Sequence, residues 1–196
     1  MDIKNITKKL QFLEEIEKFK KIERGNYFSD QTRGETDAEH TWHLAMFLLV
    51  FEDELPRGID KIKLFKMALI HDLAEIYAGD EFFLTDKLAK KEKQKRELGA
   101  AKKLFSKLPD KQACEFLKLF KEYEERKTTE AQIVAAFDKI QAIHQNISSG
   151  WLTYKKHGLS IDKIKEYHKT PMEYNKLTTL IYELIFKEAK KRKYEK

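Results

Sequence analysis

Apolar residues recur at three-to-four spacing through most of this chain, the period of a helix with one buried face. Ile6, Leu10, Leu13, Ile16 and Phe19 predict an amphipathic helix over residues 4–23. GNYFSDQTRGETD (25–37) has no such period and is rich in turn formers, so it reads as a loop. A second helix is expected over 37–54, with Leu44, Phe47, Leu48 and Phe51 inward, ending at Leu55-Pro56-Arg57-Gly58. A third runs from an Asp60 cap to Gly79. Ile62, Phe65, Leu69, Leu73 and Ile76 form its stripe, and Met67, Ile70 and Ala74 leave so little polar face that it should be central. After a loop, GDEFFLTD, helices follow over about 86–107 and 110–127, with Pro109 between them and Asp110 as cap. Thr129 and Gln132 have capping-box spacing for a helix to Ser148, which Gly150 ends. Residues 151–171 read as loop with one short helix after Ser160, and Pro171 precedes a last helix, 172–193. No stretch shows convincing period-two alternation. The expected fold is all-α, one domain over 1–196 with six to eight helices.

Composition narrows this picture. With 196 residues, 41% apolar and 37% charged, the chain can bury a full core. Seven glycines and three prolines are too few for a sandwich or barrel and suit long helices. No apolar run approaches the ~18 residues of a membrane span. The N-terminal segment mixes acidic and basic residues and lacks the continuous apolar region of a secretory signal. The single cysteine, Cys114, excludes a disulfide scaffold and fits a reducing cytoplasm. The net charge of +6 is spread beside glutamates, as in KKEKQKRELGAAKKL, which reads as solvated helix face and not as a nucleic-acid stripe. The excess still favours approach of an anionic small molecule.

Candidate chemistry lies inside apolar segments. MALIHDLAEI (67–76) places His71, Asp72 and Glu75 on one helix face at three-to-four spacing. Buried carboxylates need positive charge nearby, and a neighbouring lysine or arginine would serve as well as a metal. His40, in AEHTWHLAMFLLVF, and Asp138, in IVAAFDKIQAI, are polar residues in similarly apolar helices. Two histidines and two aspartates make a mixed nitrogen and oxygen set. It suits one divalent ion such as Mn²⁺, Co²⁺, Fe²⁺ or Zn²⁺ better than Mg²⁺ or Ca²⁺, and leaves positions open for water and substrate.

The order His40, His71-Asp72, Asp138 resembles the signature of the HD-domain metal-dependent phosphohydrolases, an all-α superfamily. ETDAEH (35–40), HDLAEIYAGD (71–80) and KEYEERKTTEAQIVAAFDK (121–139) are similar to stretches of its YfbR-like and HDDC-type 5′-deoxynucleotidases. The resemblance covers a core of about 10–150 and leaves 151–196 as a C-terminal extension. It implies hydrolysis of deoxyribonucleoside 5′-monophosphates, one divalent ion and a homodimer. It makes His40, His71, Asp72 and Asp138 the metal ligands and gives Glu75 and Asp80 roles at the attacking water and the leaving oxygen. Arg33, seven residues before His40, and Arg24 become the phosphate contacts. Two features depart from the family: no Trp follows Arg24, and the tail is longer than in short-tailed members. His43 varies among members and is not counted as a ligand. Rival readings are another HD activity, on nucleoside triphosphates, cyclic nucleotides or alarmones, and a non-catalytic nucleotide-binding module.

Overall fold

The computed structural model describes residues 2–80 and 87–192. Among these, the helices are α1 (Ile3–Ile16), α2 (Asp37–Val50), α3 (Lys61–Ile70), α4 (Glu75–Ala78), α5 (Lys87–Phe105), α6 (Asp110–Glu125), α7 (Thr129–Ser148), α8 (Leu152–Lys156), α9 (Ile161–Met172) and α10 (Lys176–Lys191). Most of the predicted connection 79–86 lies outside the described residues, as does the last position of the predicted helix 172–193.

Helix α7 is the hub. It packs against α2, α3, α6, α9, α10 and a short β-strand. Ile133, Val134, Phe137, Ile140 and Ile143 bury its apolar side against Leu44 and Leu48 of α2, Leu64 and Met67 of α3, and Phe120 of α6. Each such side chain contributes about 1.5–3 kcal/mol by leaving water. The helix predicted over 60–78 shares this core through Leu64, Met67, Ala68, Ile70, Leu73 and Ala74, but Ile62 and Leu69 of the expected stripe face outward. A helix apolar on nearly every side gives periodicity no means of choosing between them. Along α1 the stripe of Ile6, Leu10 and Leu13 is likewise exposed, and Phe12 is buried.

That predicted third helix also breaks. Its unbroken run of four-residue bonds ends with His71 N–H to Met67 O. The next bonds span three residues, Leu73 to Ile70, Glu75 to Asp72 and Ile76 to Leu73, before four-residue bonds resume at Ala78 to Ala74. A three-residue turn eclipses i and i+3, which brings the Asp72 and Glu75 carboxyls together. Gly79, at φ 78°, closes α4 with its N–H on Glu75 O.

The predicted loop 25–37 holds an antiparallel hairpin, β1 (Glu23–Tyr27) with β2 (Gly34–Thr36), pairing Glu23 with Thr36 and Tyr27 with Gly34. Its inward positions are polar, Arg24, Asn26 and Glu35, so no alternation of apolar residues announces it. A Cβ on Gly34 would stand 3.2 Å from the Arg24 carbonyl oxygen, so glycine permits this close strand pairing.

The C-terminal segment is more ordered than predicted. Residues 151–171 form α8 and most of α9, and Ser160 caps α9 through Lys163 N–H. Pro171 lies in the last turn of α9, and the final helix starts later, capped by Asn175. Trp151, Tyr154, Ile164 and Phe186 are buried and continuous with the main core. Two caps shift by one residue. Thr128, not Thr129, caps α7 by accepting from Ala131 N–H. Pro109 holds the cap position of α6.

Candidate metal centre

Three helices and the hairpin converge on one buried pocket of polar atoms. A capping box fixes the start of α2. The Thr36 hydroxyl accepts from Glu39 N–H, and the Glu39 carboxylate accepts from Thr36 N–H. That start places His40 on the helix's buried side, with no exposed surface. His71 and Asp72 occupy the tightened turn after α3. Asp138 sits mid-way along α7, buried among Ala135, Phe137 and Ile140.

Nε2 of His40 lies 3.2 Å from Asp138 Oδ1 and 3.8 Å from Asp72 Oδ2, and Nε2 of His71 lies 3.1 Å from Asp72 Oδ2. The second nitrogen of each ring decides what these distances mean. His71 Nδ1 is 2.7 Å from the Ala68 carbonyl oxygen, which can only accept. The proton of a neutral His71 ring is therefore on Nδ1, and Nε2 presents a lone pair. His40 Nδ1 is 2.6 Å from Gln141 Oε1, giving the same arrangement. Two lone pairs and two carboxylate groups then face one another. Nε2 of both histidines and Oδ1 of Asp138 are buried without a hydrogen-bond partner. Like-signed donors this close repel unless a cation stands among them, so the residues fit a divalent metal with mixed nitrogen and oxygen preference. Among the described residues, His40, His71 and Asp72 offer ligand atoms all within 4.8 Å of one another, and so do Asp37, Asp72 and Glu75.

Charge around this cluster is balanced by few cations. NH1 of Arg24, from β1, donates to Asp37 at 3.1 Å and to Asp72 at 2.9 Å. Lys139 Nζ and the Tyr123 hydroxyl both donate to Asp138 Oδ2. Burial pushes the Asp72 carboxyl up, but His71 and Arg24 outweigh it and hold the group well below the usual range. Asp138 is likewise held low, with Lys139 and His40 overcoming burial. Burial lowers His40, aided by Arg24, whereas at His71 the Asp72 charge outweighs burial and raises it. Glu75 has no such relief. Burial, then Asp72 and Asp37, push it up to about 12, so it holds its proton in the metal-free site. Asp37 is raised to about 7 by burial and the Asp72 charge. Asp80 is raised chiefly by burial, which outweighs the pull of Arg24.

Of the residues singled out in the sequence, the fold brings together His40, His71, Asp72, Asp138, Glu75 and Arg24, and Asp80 is close enough to couple to them electrostatically. Arg33 does not join them. It is half exposed, forms a two-pronged pair with Glu39 and lies 4.1 Å over the Phe28 ring. Sequence reasoning assigned no role to Glu35, Asp37, Tyr123, Lys139 or Gln141. Gln141 had a readable signal: it lies one turn beyond Asp138 on an apolar helix face. Glu35, Asp37 and Tyr123 lay inside the quoted motifs but carried no spacing of their own.

Comparison with known proteins places this geometry in context. A family model described as an HD domain matches residues 16–178. A protein of Xenopus laevis named 5′-deoxynucleotidase HDDC2 is 32% identical over 69% of this chain and 66% of its own length. Its Dictyostelium discoideum namesake is 34% identical over 69% of this chain and 74% of its own length. The chain thus spans just under two thirds of the Xenopus relative. A crystal structure described as a predicted metal-dependent phosphohydrolase of Magnetospirillum magnetotacticum superposes with TM-score 0.88 at 32% identity, covering 97% of this chain and 95% of the other. The converging histidines and aspartates thus sit in a shared architecture, and the chain belongs to the HD-domain family.

Proposed function

We propose that this chain is a metal-dependent phosphohydrolase that releases phosphate from deoxyribonucleoside 5′-monophosphates, with His40, His71, Asp72 and Asp138 holding one divalent ion. The observation that carries this reading is the set of imidazole nitrogens and carboxylate oxygens from three helices, buried and facing one another, with Nε2 of both histidines and Oδ1 of Asp138 lacking a hydrogen-bond partner. Kinship with proteins named 5′-deoxynucleotidases supports the substrate class. When bound at these residues, such an ion would supply the positive charge that polarises a phosphoryl group and acidifies a nearby water.

The chain's own residues do the rest. The oxygen of a water attacks phosphorus, the bond from phosphorus to the 5′ oxygen breaks, and that oxygen leaves as the nucleoside hydroxyl after taking a proton. Glu75 and Asp80 are the groups assigned to take the water's proton and return one to the leaving oxygen. Glu75 would act as the base only with a cation bound, whose charge offsets the Asp72 and Asp37 charges that otherwise keep it protonated. Arg24 neutralises the incoming phosphate. Its NH1 is already held by Asp37 and Asp72, and its buried Nε has no hydrogen-bond partner. Arg33 would have to abandon Glu39 to reach the same phosphate, so it has the weaker claim to that contact.

Pairing with a second copy belongs to this reading too. Helix α2 is apolar on nearly all sides, yet Trp42, Leu49 and Val50 are exposed, the pattern of a helix covered on assembly. No helix of the described residues is long and apolar enough to cross a membrane.

The test is a panel of mono-, di- and triphosphate nucleotides, ribo and deoxy, assayed for phosphate with each divalent ion. Release from deoxynucleoside monophosphates is expected. Release from triphosphates alone would overturn the substrate, and silence with every ion would overturn the hydrolase.

A further inference from the structure

Gln141 is fully buried and makes three contacts at once. Its Oε1 faces His40 Nδ1 at 2.6 Å, and its Nε2 faces Glu35 Oε1 at 2.7 Å and His43 Nδ1 at 3.2 Å. We propose that Gln141 is a positioning residue that selects which nitrogen His40 offers to the metal, with Glu35 and His43 fixing the orientation of its amide. The inference rests on His40 being a metal ligand.

An isolated amide can be turned end for end without changing its shape. Here its far end settles the matter. A carboxylate oxygen accepts and does not donate, so the NH₂ group belongs beside Glu35. The carbonyl oxygen must then face His40, and it needs a proton on Nδ1. A neutral ring carries one proton, so Nε2 is left as a lone pair, pointed at Asp138 and Asp72. The second amide hydrogen is directed at His43 Nδ1, which must accept. With Glu35 ionised, as at pH 8, the network admits one arrangement for all four groups.

There is a competing arrangement. With its proton on Nε2, His40 would donate to Asp138 Oδ1, already 3.2 Å away, and the metal position would be closed. Gln141 is the group that opposes this. His71 needs no such help, because the Ala68 carbonyl, part of the backbone, sets its tautomer. The two ligand histidines therefore differ in what holds them, and only one depends on a side chain.

The experiment uses the metal-free full chain at pH 8 with ¹⁵N-labelled histidine, where long-range proton–nitrogen spectra report each tautomer. The wild-type protein should show His40 protonated on Nδ1 and His43 on Nε2. Either reversed would overturn the proposal without any mutation. In Gln141→Leu, His40 should move its proton to Nε2, and the affinity for Co²⁺ should fall by about 10- to 100-fold. Glu35→Gln should keep both properties, since an amide oxygen still accepts from Gln141. A Gln141→Leu protein of wild-type helical content with the His40 proton unmoved would overturn the proposal. Failure of the metal reading looks different. The wild type would then take up no Co²⁺, while its tautomers would still decide the relay.

Discussion

The helices and the hairpin bring polar groups to the same pocket by opposite means. Helices α2, α3 and α7 carry His40, His71 and Asp138 on apolar scaffolds, so burial of Leu44, Leu48, Leu64, Met67 and Phe137 sets the positions. The hairpin brings Arg24 and Glu35 with almost no apolar contribution. It is docked by hydrogen bonds: Asn146 to Asn26, Gln145 to the Tyr27 carbonyl, Thr153 to the Gly25 carbonyl, and Gln31 to the Ser149 carbonyl. A hydrophobic scaffold tolerates change of almost any surface residue. A hydrogen-bonded one fails wherever a buried partner is lost, because the orphaned group bears the full desolvation cost.

The largest effect should come from the helical side. Asp138→Asn keeps the shape but removes one negative charge facing His40. Turnover with any divalent ion should fall by about 10³-fold or more, while circular dichroism shows unchanged helix. Thermal stability of the metal-free protein should fall, since Lys139 and Tyr123 lose the charged acceptor and His40 loses the negative charge that together hold Asp138 below its ordinary range. An Asp138→Asn protein with near-normal turnover would remove Asp138 from the ligand set.

A matched pair of truncations sharpens the contrast. Leu48→Ala, in α2, should cost about 3 kcal/mol of stability and leave substrate KM nearly unchanged. Asn26→Ala, in β1, should cost about 2 kcal/mol and raise KM, because Arg24 shares its strand. Equal effects of the two on KM would mean that the hairpin does not position the phosphate contact.

This difference also explains what was legible in the chain. Helix existence, the ordered set His40, His71, Asp72 and Asp138, and the caps at Asp60 and Gly79 all follow from apolar periodicity or from residue spacing. The hairpin was hidden because its inward residues are polar, so the period-two signal that identifies a strand is absent. Helix α8 and the full length of α9 were hidden because Gly150, Gly158 and Pro171 are strong breakers, and only burial of Trp151, Tyr154 and Ile164 on α7 and α10 overrides them. The tightened turn at His71 leaves no trace in spacing, since three- and four-residue periods agree over so short a stretch.

The remaining effects appear only as the pH changes and concern two buried titratable groups, one from each region, whose influence on stability runs in opposite directions with pH. Burial raises Glu35, in β2, from 4.5 to about 7. The unfolded chain therefore loses that proton first, and stability should fall as pH rises from about 4.5 to 7, by roughly 3 kcal/mol. Glu35→Gln should flatten that slope. Burial and Lys139 lower His168, in α9, from 6.5 to about 3. Here the unfolded chain gains a proton that the folded one refuses. Stability is retained above 6.5 and lost as pH falls toward 3, by about 2 kcal/mol at pH 5. Denaturant titrations of the metal-free protein at pH 7.5 and pH 5 should show His168→Phe losing about 2 kcal/mol less than wild type across that interval. If His168→Phe and wild type lose stability in parallel, His168 is protonated within the fold, and α9 meets Asp138 with a charged imidazolium instead of a neutral ring.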